Sequence, residues 1–205
     1  DKNWDLKMVK TGEVSETIRA RDLMNTIAEA AWNCADPGMQ FDTTINKWHT
    51  APNAGRINGS NPCSEYMHLD DSACNLASIN LLKFLRESDF PGKSDSQEFN
   101  FEDFKKAVDI LIIAQDSVID NSSYPTAKIE QNARNYRQLG LGYTNLGAML
   151  MQMGFAYDSD EARAWAGAIS SIMTGEAYKT STEIAEATGA FSGYEKNKEP
   201  MQNVI

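Results

Sequence analysis

Three side chains that can do chemistry, Asn61, Cys63 and Glu65, stand at alternating positions of one short segment. In extended backbone, residues two apart point to the same face, so an amide, a thiol and a carboxylate could meet one small molecule. Pro62 fixes its own φ and biases the residue before it toward extended geometry. A second thiol, Cys74, follows Cys63 by eleven residues. This spacing predicts a site that combines hydrogen bonding, proton transfer and thiol chemistry.

The same residue types also have a purely structural interpretation. A cysteine beside proline is commonly a small buried side chain, and a nearby glutamate is commonly solvated. For Cys34, near the end of a predicted helix, burial is the expectation. A zinc site is disfavoured, because structural zinc uses closely spaced pairs of Cys or His that this sequence lacks. The side chains that would have to form it are His49, His68, Cys63 and Cys74.

Apolar periodicity predicts the elements that position the segment. A helix over residues 16–33, capped by Ser15, comes first. We expect a short strand at 39–41 and a loop over 42–60. The apolar run at 75–85 predicts a strand that becomes helical.

The second half of the chain is richer in helix. The pattern predicts helices at 101–121, 145–153 and 158–188, a polar loop at 88–100 and a strand from 140–142. Gln115 falls on the buried side of the first of these helices, and Gly189 ends the last. Long helices that alternate with short apolar strands predict an α/β fold with a largely buried sheet.

Composition narrows the function classes. A chain of 205 residues can form one domain, and its net charge of −10 disfavours a polynucleotide surface. The odd number of cysteines, three, argues against a secreted disulfide scaffold and favours a reducing cytoplasm. No apolar run reaches the length of a membrane span, so we expect no membrane partner.

The residues around the two cysteines resemble a known family. Residues 59–81 read GSNPCSEYMHLDDSACNLASINL, and SYP at 123–125 and RQLGLGY at 137–143 follow. These runs are similar, in order and approximate spacing, to ribonucleotide reductase large (catalytic) subunits. The Asn-Pro-Cys-Ser-Glu form and the short interval to Cys74 most resemble the adenosylcobalamin-dependent class II ribonucleoside-diphosphate reductases.

The resemblance implies a fold. That family has a ten-stranded α/β barrel built from two five-stranded halves, with a radical cysteine on an internal finger loop. Residues 1–205 would be a single, incomplete segment from the middle of this catalytic barrel. The absence of an initiating Met agrees with this expectation. The family's phosphate-binding loop would lie downstream of residue 205.

The resemblance also implies residue roles. Cys63 would become a thiyl radical that removes the ribose 3′ hydrogen, Glu65 would accept the 3′-hydroxyl proton, and Asn61 would hold a substrate oxygen. Cys74 would be one half of a redox-active disulfide whose partner lies upstream of this chain. The implied substrate-binding residues are Ser60, Asn61, Pro62, Cys63, Ser64 and Glu65.

The implied cofactor is adenosylcobalamin, with no metal site formed by this chain. The implied substrate is a ribonucleoside diphosphate or triphosphate, reduced to the 2′-deoxyribonucleotide for DNA synthesis by a thioredoxin-like or dithiol reductant. The full-length enzyme would be cytoplasmic and could be a homodimer. Two alternatives stay open: a class I large chain radicalised by a partner subunit, and a non-catalytic helical binding module with inert core cysteines.

The remaining motifs favour structural roles. The glycine-rich run at 140–147 lacks the spacing of a dinucleotide-binding fingerprint, which favours packing. The methionines at 149, 151 and 153 are expected to fill the core. We expect structural ion pairs or solvated charges at Arg134, Arg137, Asp70 and Asp71.

Overall fold

The computed structural model describes residues 2–35, 38–87 and 97–205. Its helices are α1 (Ala20–Cys34), α2 (Asp42–Lys47), α3 (Phe101–Asn121), α4 (Ala127–Tyr136), α5 (Leu146–Gln152), α6 (Asp160–Thr188) and α7 (Tyr194–Val204). Its strands are β1 (Asn3–Lys7), β2 (Val14–Arg19), β3 (Gly59–Ser60), β4 (Met67–His68), β5 (Asn75–Asn80), β6 (Leu85–Glu87), β7 (Gln97–Phe99) and β8 (Leu139–Thr144). Within these ranges, no helix combines the length and apolar character needed to cross a membrane.

The strands form four separate pairs. β1–β2, β3–β4 and β6–β7 are antiparallel, whereas β5 and β8 are parallel. A parallel pair requires a long crossover, and here α3 and α4 supply it. The architecture is therefore a mixture of helices and strands, which agrees with the α/β prediction, and the described residues do not close a barrel. The expectation of a largely buried sheet is wrong for these residues, because β1 is exposed throughout and Leu76 of β5 is 69% exposed.

The hydrophobic core lies between β5–β8, α3, α5 and α6. On α3 the buried side chains recur at intervals of three or four residues, which places them on one face of the helix. They are Phe104, Val108, Ile112, Gln115 and Ile119. Full burial of one large apolar side chain stabilises the fold by roughly 1.5–3 kcal/mol. This stripe fixes the helix against the parallel strands.

Side-chain caps define where the long helices begin. The Asn100 side chain accepts a hydrogen bond from the Asp103 N–H at the start of α3. The Ser159 hydroxyl accepts one from the Ala162 N–H at the start of α6. Each such cap contributes about 1 kcal/mol by satisfying an otherwise unpaired amide. The predictions for residues 101–121 and 158–188 are confirmed, and the latter range forms one helix that ends at Gly189.

The prediction of a strand that turns helical is also confirmed, because β5 is followed by a short 3-10 helix, Leu81–Phe84. β8 and α5 lie where the sequence predicts them.

The prediction for residues 16–33 is wrong in its first turn. Residues 14–19 form β2 and pair with β1, so α1 begins only at Ala20, and the residue that precedes it is Arg19. Ser15 is not a cap, since its hydroxyl donates to the Leu6 carbonyl across the hairpin. Strand pairing satisfies the backbone of these residues and overrides their helical periodicity.

Other boundaries also differ from expectation. Residues 39–41 form no strand, and the predicted loop over 42–60 contains α2 and β3. Of the predicted loop over 88–100, residues 88–96 lie outside the described residues, whereas Gln97–Phe99 is a strand. Sequence periodicity missed α4, α7 and the β1–β2 hairpin, because these elements bury few side chains.

Candidate active site

The segment that contains Cys63 is a tight turn between β3 and β4, not an extended strand. The Ser64 N–H donates to the Asn61 carbonyl at 3.1 Å, and Ser64 has a φ of 65°. Pro62 occupies the second position of the turn, where its fixed φ is favoured. The expectation that alternating side chains share one face is therefore wrong here, because the chain reverses between Asn61 and Ser64. Cys63 is exposed at the tip of the turn.

Asn61 stabilises the loop through its own side chain. Its Oδ1 accepts a hydrogen bond from the Tyr66 N–H at 3.0 Å, while its backbone N–H donates to the Tyr66 carbonyl at 3.4 Å. The amide Nδ2 is the part of Asn61 that can donate to another molecule. Ser60 adds a second support, since its hydroxyl donates to the Asn61 carbonyl at 2.7 Å and accepts from Gln40 Nε2.

Cys74 lies immediately before β5, on the face of the β5–β8 pair that the helices do not cover. Successive strand residues point to opposite faces, so Cys74 shares its face with Leu76, which is 69% exposed. Leu76 pairs with Gly140 of β8. A Cβ at Gly140 would lie 3.0 Å from Cys74 Sγ. The absent side chain therefore makes room for the thiol, which confirms the packing interpretation of this glycine.

Glu65 and Cys74 interact electrostatically. Burial raises the pKa of the Cys74 thiol, and the negative charge of Glu65 raises it further. The structure thus brings the turn and the second cysteine into one neighbourhood. At neutral pH Cys74 keeps its proton and is a thiol, not a thiolate.

Buried amides hold the start of β5 in place. Gln115 of α3 donates from Nε2 to the Asn75 carbonyl at 3.1 Å and to the Gly140 carbonyl at 2.9 Å. Asn75 Nδ2 returns a bond to the Gln115 carbonyl. A glutamine within an otherwise apolar helical stripe is the sequence signal for this contact. Sequence reasoning placed Gln115 correctly on the buried side but did not assign it a partner.

An aromatic and histidine cluster, missed by sequence reasoning, lies behind the turn. Tyr66 and His68 stack with ring centroids 5.5 Å apart, and His49 meets His68 edge-on at 6.3 Å. Burial, and secondarily the neighbouring His49, lowers the pKa of His68 to about 4. Among the residues described, no group of three or more His, Cys, Asp or Glu side chains is arranged to hold a metal ion.

The charged residues of this region pair with one another. Arg137 bonds Asp116 at 2.7 Å and Asp120 at 2.9 Å, and these carboxylates raise its pKa. Arg134 pairs with Glu130 at 2.9 Å. The remaining acidic pair is also engaged, since Asp71 meets Lys128 and Asp70 accepts from Asn58 Nδ2. The prediction that these charges are structural is confirmed.

Two structural expectations are wrong. Cys34 is exposed at the end of α1 and not buried. Met151 is 71% exposed, although Met149 on the same short helix is buried. Residues two apart on a helix point in different directions, so three alternate methionines cannot all face one core.

A cavity of about 670 Å³ lies beside the turn. Its wall includes Tyr66, His68, Gln138 and Arg137, together with residues of α3 and α6, but not Cys63, Glu65 or Cys74. The thiols of Cys63 and Cys74 therefore lie outside the wall of this cavity.

Comparison with known proteins matches the sequence of this chain to one family. The family model of the ribonucleotide reductase barrel domain matches residues 2–205. The chain is 56% identical over 195 residues to a vitamin B12-dependent ribonucleotide reductase of Streptomyces avermitilis, covering 95% of this chain and 20% of that protein. It is 45% identical over 205 residues to the protein of the same name from Agrobacterium fabrum, covering 100% of this chain and 16% of that one.

A more distant relative carries a similar name. The chain is 32% identical over 204 residues to a vitamin B12-dependent ribonucleoside-diphosphate reductase of Thermoplasma acidophilum, covering 97% of this chain and 26% of that protein. The chain thus spans about a fifth of the length of the Streptomyces avermitilis protein and about a sixth of the Agrobacterium fabrum protein. It belongs to the ribonucleotide reductase barrel domain family.

Proposed function

We propose that this chain is the part of an adenosylcobalamin-dependent ribonucleotide reductase that carries the radical cysteine Cys63 and the redox cysteine Cys74. The observation that carries the proposal is the contact between the end of the Cys63 turn and the residue before Cys74: the Tyr66 phenol donates to the Ala73 carbonyl at 3.4 Å. The charge of Glu65 also raises the pKa of Cys74, after the larger effect of burial. The names of the relatives supply the reaction and the cofactor. The β5–β8 pair would be two neighbouring strands of the ten-stranded barrel, and the turn would be its finger loop.

The position of Cys63 fits the cofactor. The thiol is exposed at the tip of a turn, so a group from outside this chain can reach it. When bound, adenosylcobalamin would supply homolysis of a cobalt–carbon bond, which allows a hydrogen atom to be taken from a thiol. A class I large chain is disfavoured, because the relatives reported above are all named for vitamin B12.

Cys63 then acts on the ribose as a thiyl. The sulfur takes the hydrogen from C3′, which re-forms the S–H bond and leaves the unpaired electron on carbon. Glu65 accepts the proton of the 3′-hydroxyl as a general base. Asn61 Nδ2 can donate a hydrogen bond to a substrate oxygen, because its Oδ1 is already bonded to the loop. Residues 60–65 together form the proposed substrate contact.

Cys74 completes the reduction as a proton and electron donor. Its raised pKa keeps the proton on sulfur at neutral pH, so that the thiol can protonate the leaving 2′-hydroxyl. Water leaves with the Cys74 proton, the proton of a second thiol ends on C2′, and the two thiols supply two electrons as they close to a disulfide. Cys63 then returns its hydrogen to C3′, and Glu65 returns the proton to the 3′ oxygen. That second thiol would come from a part of the enzyme outside this chain, and a dithiol or thioredoxin-like reductant would reopen the disulfide.

The exposure of the thiols opposes a non-catalytic binding module with inert core cysteines. Cys34 and Cys63 are exposed and Cys74 is half-buried. Free thiols in these environments persist in a reducing cytoplasm, which is the compartment we propose. The substrate would be a ribonucleoside diphosphate or triphosphate, and a homodimer of the full-length enzyme is part of the proposal.

The test compares the same substitution at two exposed cysteines of the full-length enzyme. Cys63→Ser should lower nucleotide reduction by at least about a thousandfold, because an oxygen radical forms much less readily than a thiyl. Cys34→Ser, the matched control, should retain parental turnover. Both variants should melt at the parental temperature, since neither side chain is buried. Cys63→Ser enzyme that turns over within tenfold of the parent would refute the assignment.

A further inference from the structure

Tyr66 connects the turn to the strand that follows Cys74. It comes directly after Glu65, and its phenol donates to the Ala73 carbonyl at 3.4 Å. Ala73 precedes Cys74 in the chain. One side chain therefore spans from the end of the turn to the residue before the second thiol.

His68 and Gln138 make a second connection, to the neighbouring strand β8. The His68 ring stacks on Tyr66 with an interplanar angle of 3°. Gln138 Nε2 donates to His68 Nδ1 at 3.1 Å. Gln138 precedes Leu139, which pairs with Asn75, the residue after Cys74. The first connection thus reaches the residue before Cys74, and the second reaches β8 next to Leu139, the residue that pairs with Asn75.

The protonation states of these groups suit the contacts. Because burial lowers the pKa of His68 to about 4, its ring is neutral at physiological pH and can accept from Gln138. Burial raises the pKa of the Tyr66 phenol above its ordinary value, so the phenol keeps the proton that it donates.

The turn needs such support, since its own strands are very short. β3 and β4 contain two residues each, and within residues 2–35, 38–87 and 97–205 they pair with no other strand. An isolated two-stranded hairpin is marginally stable at best in water. Contacts from outside the hairpin must therefore determine where the tip of the turn lies.

We propose that Tyr66, His68 and Gln138 act together as positioning residues that hold the Asn61–Ser64 turn at a set distance from Cys74. This rests on the proposed function, since it gives the two thiols a shared geometry that the reaction requires. A small displacement of the turn would move Cys63 away from the ribose while Cys74 stayed beside the 2′-hydroxyl, although no reacting group would be removed.

The experiment uses Tyr66→Phe, Gln138→Ala and the double variant in the full-length enzyme. Tyr124→Phe is the matched control, because the Tyr124 phenol also donates to a backbone carbonyl, that of Ile119 at 3.0 Å. The first measurement needs no cofactor. Iodoacetamide alkylation of Cys74 in reduced enzyme is followed by mass spectrometry of the peptide that contains it.

We expect Tyr66→Phe to speed Cys74 alkylation by about threefold or more, since a loosened turn exposes the thiol and withdraws the charge of Glu65. Tyr124→Phe should leave the rate within about 1.5-fold of the parent. In steady-state assays each single variant should lower kcat by about tenfold with the nucleotide KM unchanged. The double variant should have about the same kcat as each single variant, because the effects of mutations within one network do not add.

Unchanged Cys74 alkylation in Tyr66→Phe overturns the proposal, as do effects on kcat that multiply in the double variant. A variant whose KM rises and whose melting temperature falls along with kcat also contradicts the proposal, since that pattern indicates general destabilisation. If Gln138→Ala fails to fold, the alkylation rate of Tyr66→Phe decides alone. If the parent enzyme itself reduces no nucleotide, the proposed function fails, whereas alkylation still tests the positioning role.

Discussion

Gly140→Ala tests whether close packing between β5 and β8 sets the position of Cys74. The added Cβ would overlap the Leu76 Cδ2 methyl group and lie 3.0 Å from Cys74 Sγ and 3.3 Å from the Asn75 carbonyl oxygen. Leu76 is exposed and can turn away. The Asn75 carbonyl cannot, because Gln115 holds it. Overpacking of this kind costs about 1–3 kcal/mol of unfolding free energy.

Gly142→Ala is the matched control on the same strand and face. The nearest atom to its added Cβ is Ser78 Oγ at 4.0 Å, which is an ordinary contact. Alanine also restricts the unfolded chain more than glycine, so this variant should be as stable as the parent or slightly more stable.

Thermal unfolding of the full-length enzyme provides the measurement. Gly140→Ala should lower the apparent melting temperature of the unfolding unit that contains it by about 2–12 °C, at roughly 2–4 °C per kcal/mol for a cooperative unit of about 150–250 residues. It should also lower kcat with a dithiol reductant, because the Cys74 thiol is displaced. Equal melting temperatures for the two variants would refute the packing argument.

Three further predictions follow from the same contacts. Gln115→Leu should destabilise the enzyme by roughly 2 kcal/mol, since two part-buried carbonyls lose the hydrogen bond from its side chain, whereas Gln152→Leu at an exposed position should not; melting temperatures compare the two. Because the pKa of His68 falls from 6.5 to about 4 on folding, stability is full above pH 6.5 and declines as the pH falls toward 4. The slope is up to about 1.4 kcal/mol per pH unit, and melting curves of His68→Phe should show a shallower slope than the parent. Finally, residues 1–205 expressed alone should reduce no nucleotide and should associate through exposed apolar side chains, among them Trp4, Trp32 and Ile113. Size exclusion with a reductase assay checks this, and an active monomer contradicts it.

The sequence alone was sufficient for the elements whose burial is strongly periodic. In α3, β5 and α6 the apolar residues recur at the spacing that their burial requires. The positions of these elements therefore follow from the local pattern of apolar residues. The residue types around Cys63 and Cys74 were also sufficient to indicate the family, since the residues that resemble its active site lie close together in the sequence.

Tertiary structure decided the rest. Residues 16–19 fall within the predicted helix but belong to β2, because pairing with β1 satisfies their backbone. The segment at Asn61 alternates like a strand but turns, because hydrogen bonds from Ser64 and Tyr66 close it. The neighbours of Cys74 come from places far apart in the chain: Gly140 through strand register and Gln115 through helix packing. Local periodicity carries no information on which distant strand will pair or in which register. The tertiary structure therefore determines where the two thiols lie, although the sequence alone identifies which cysteines they are.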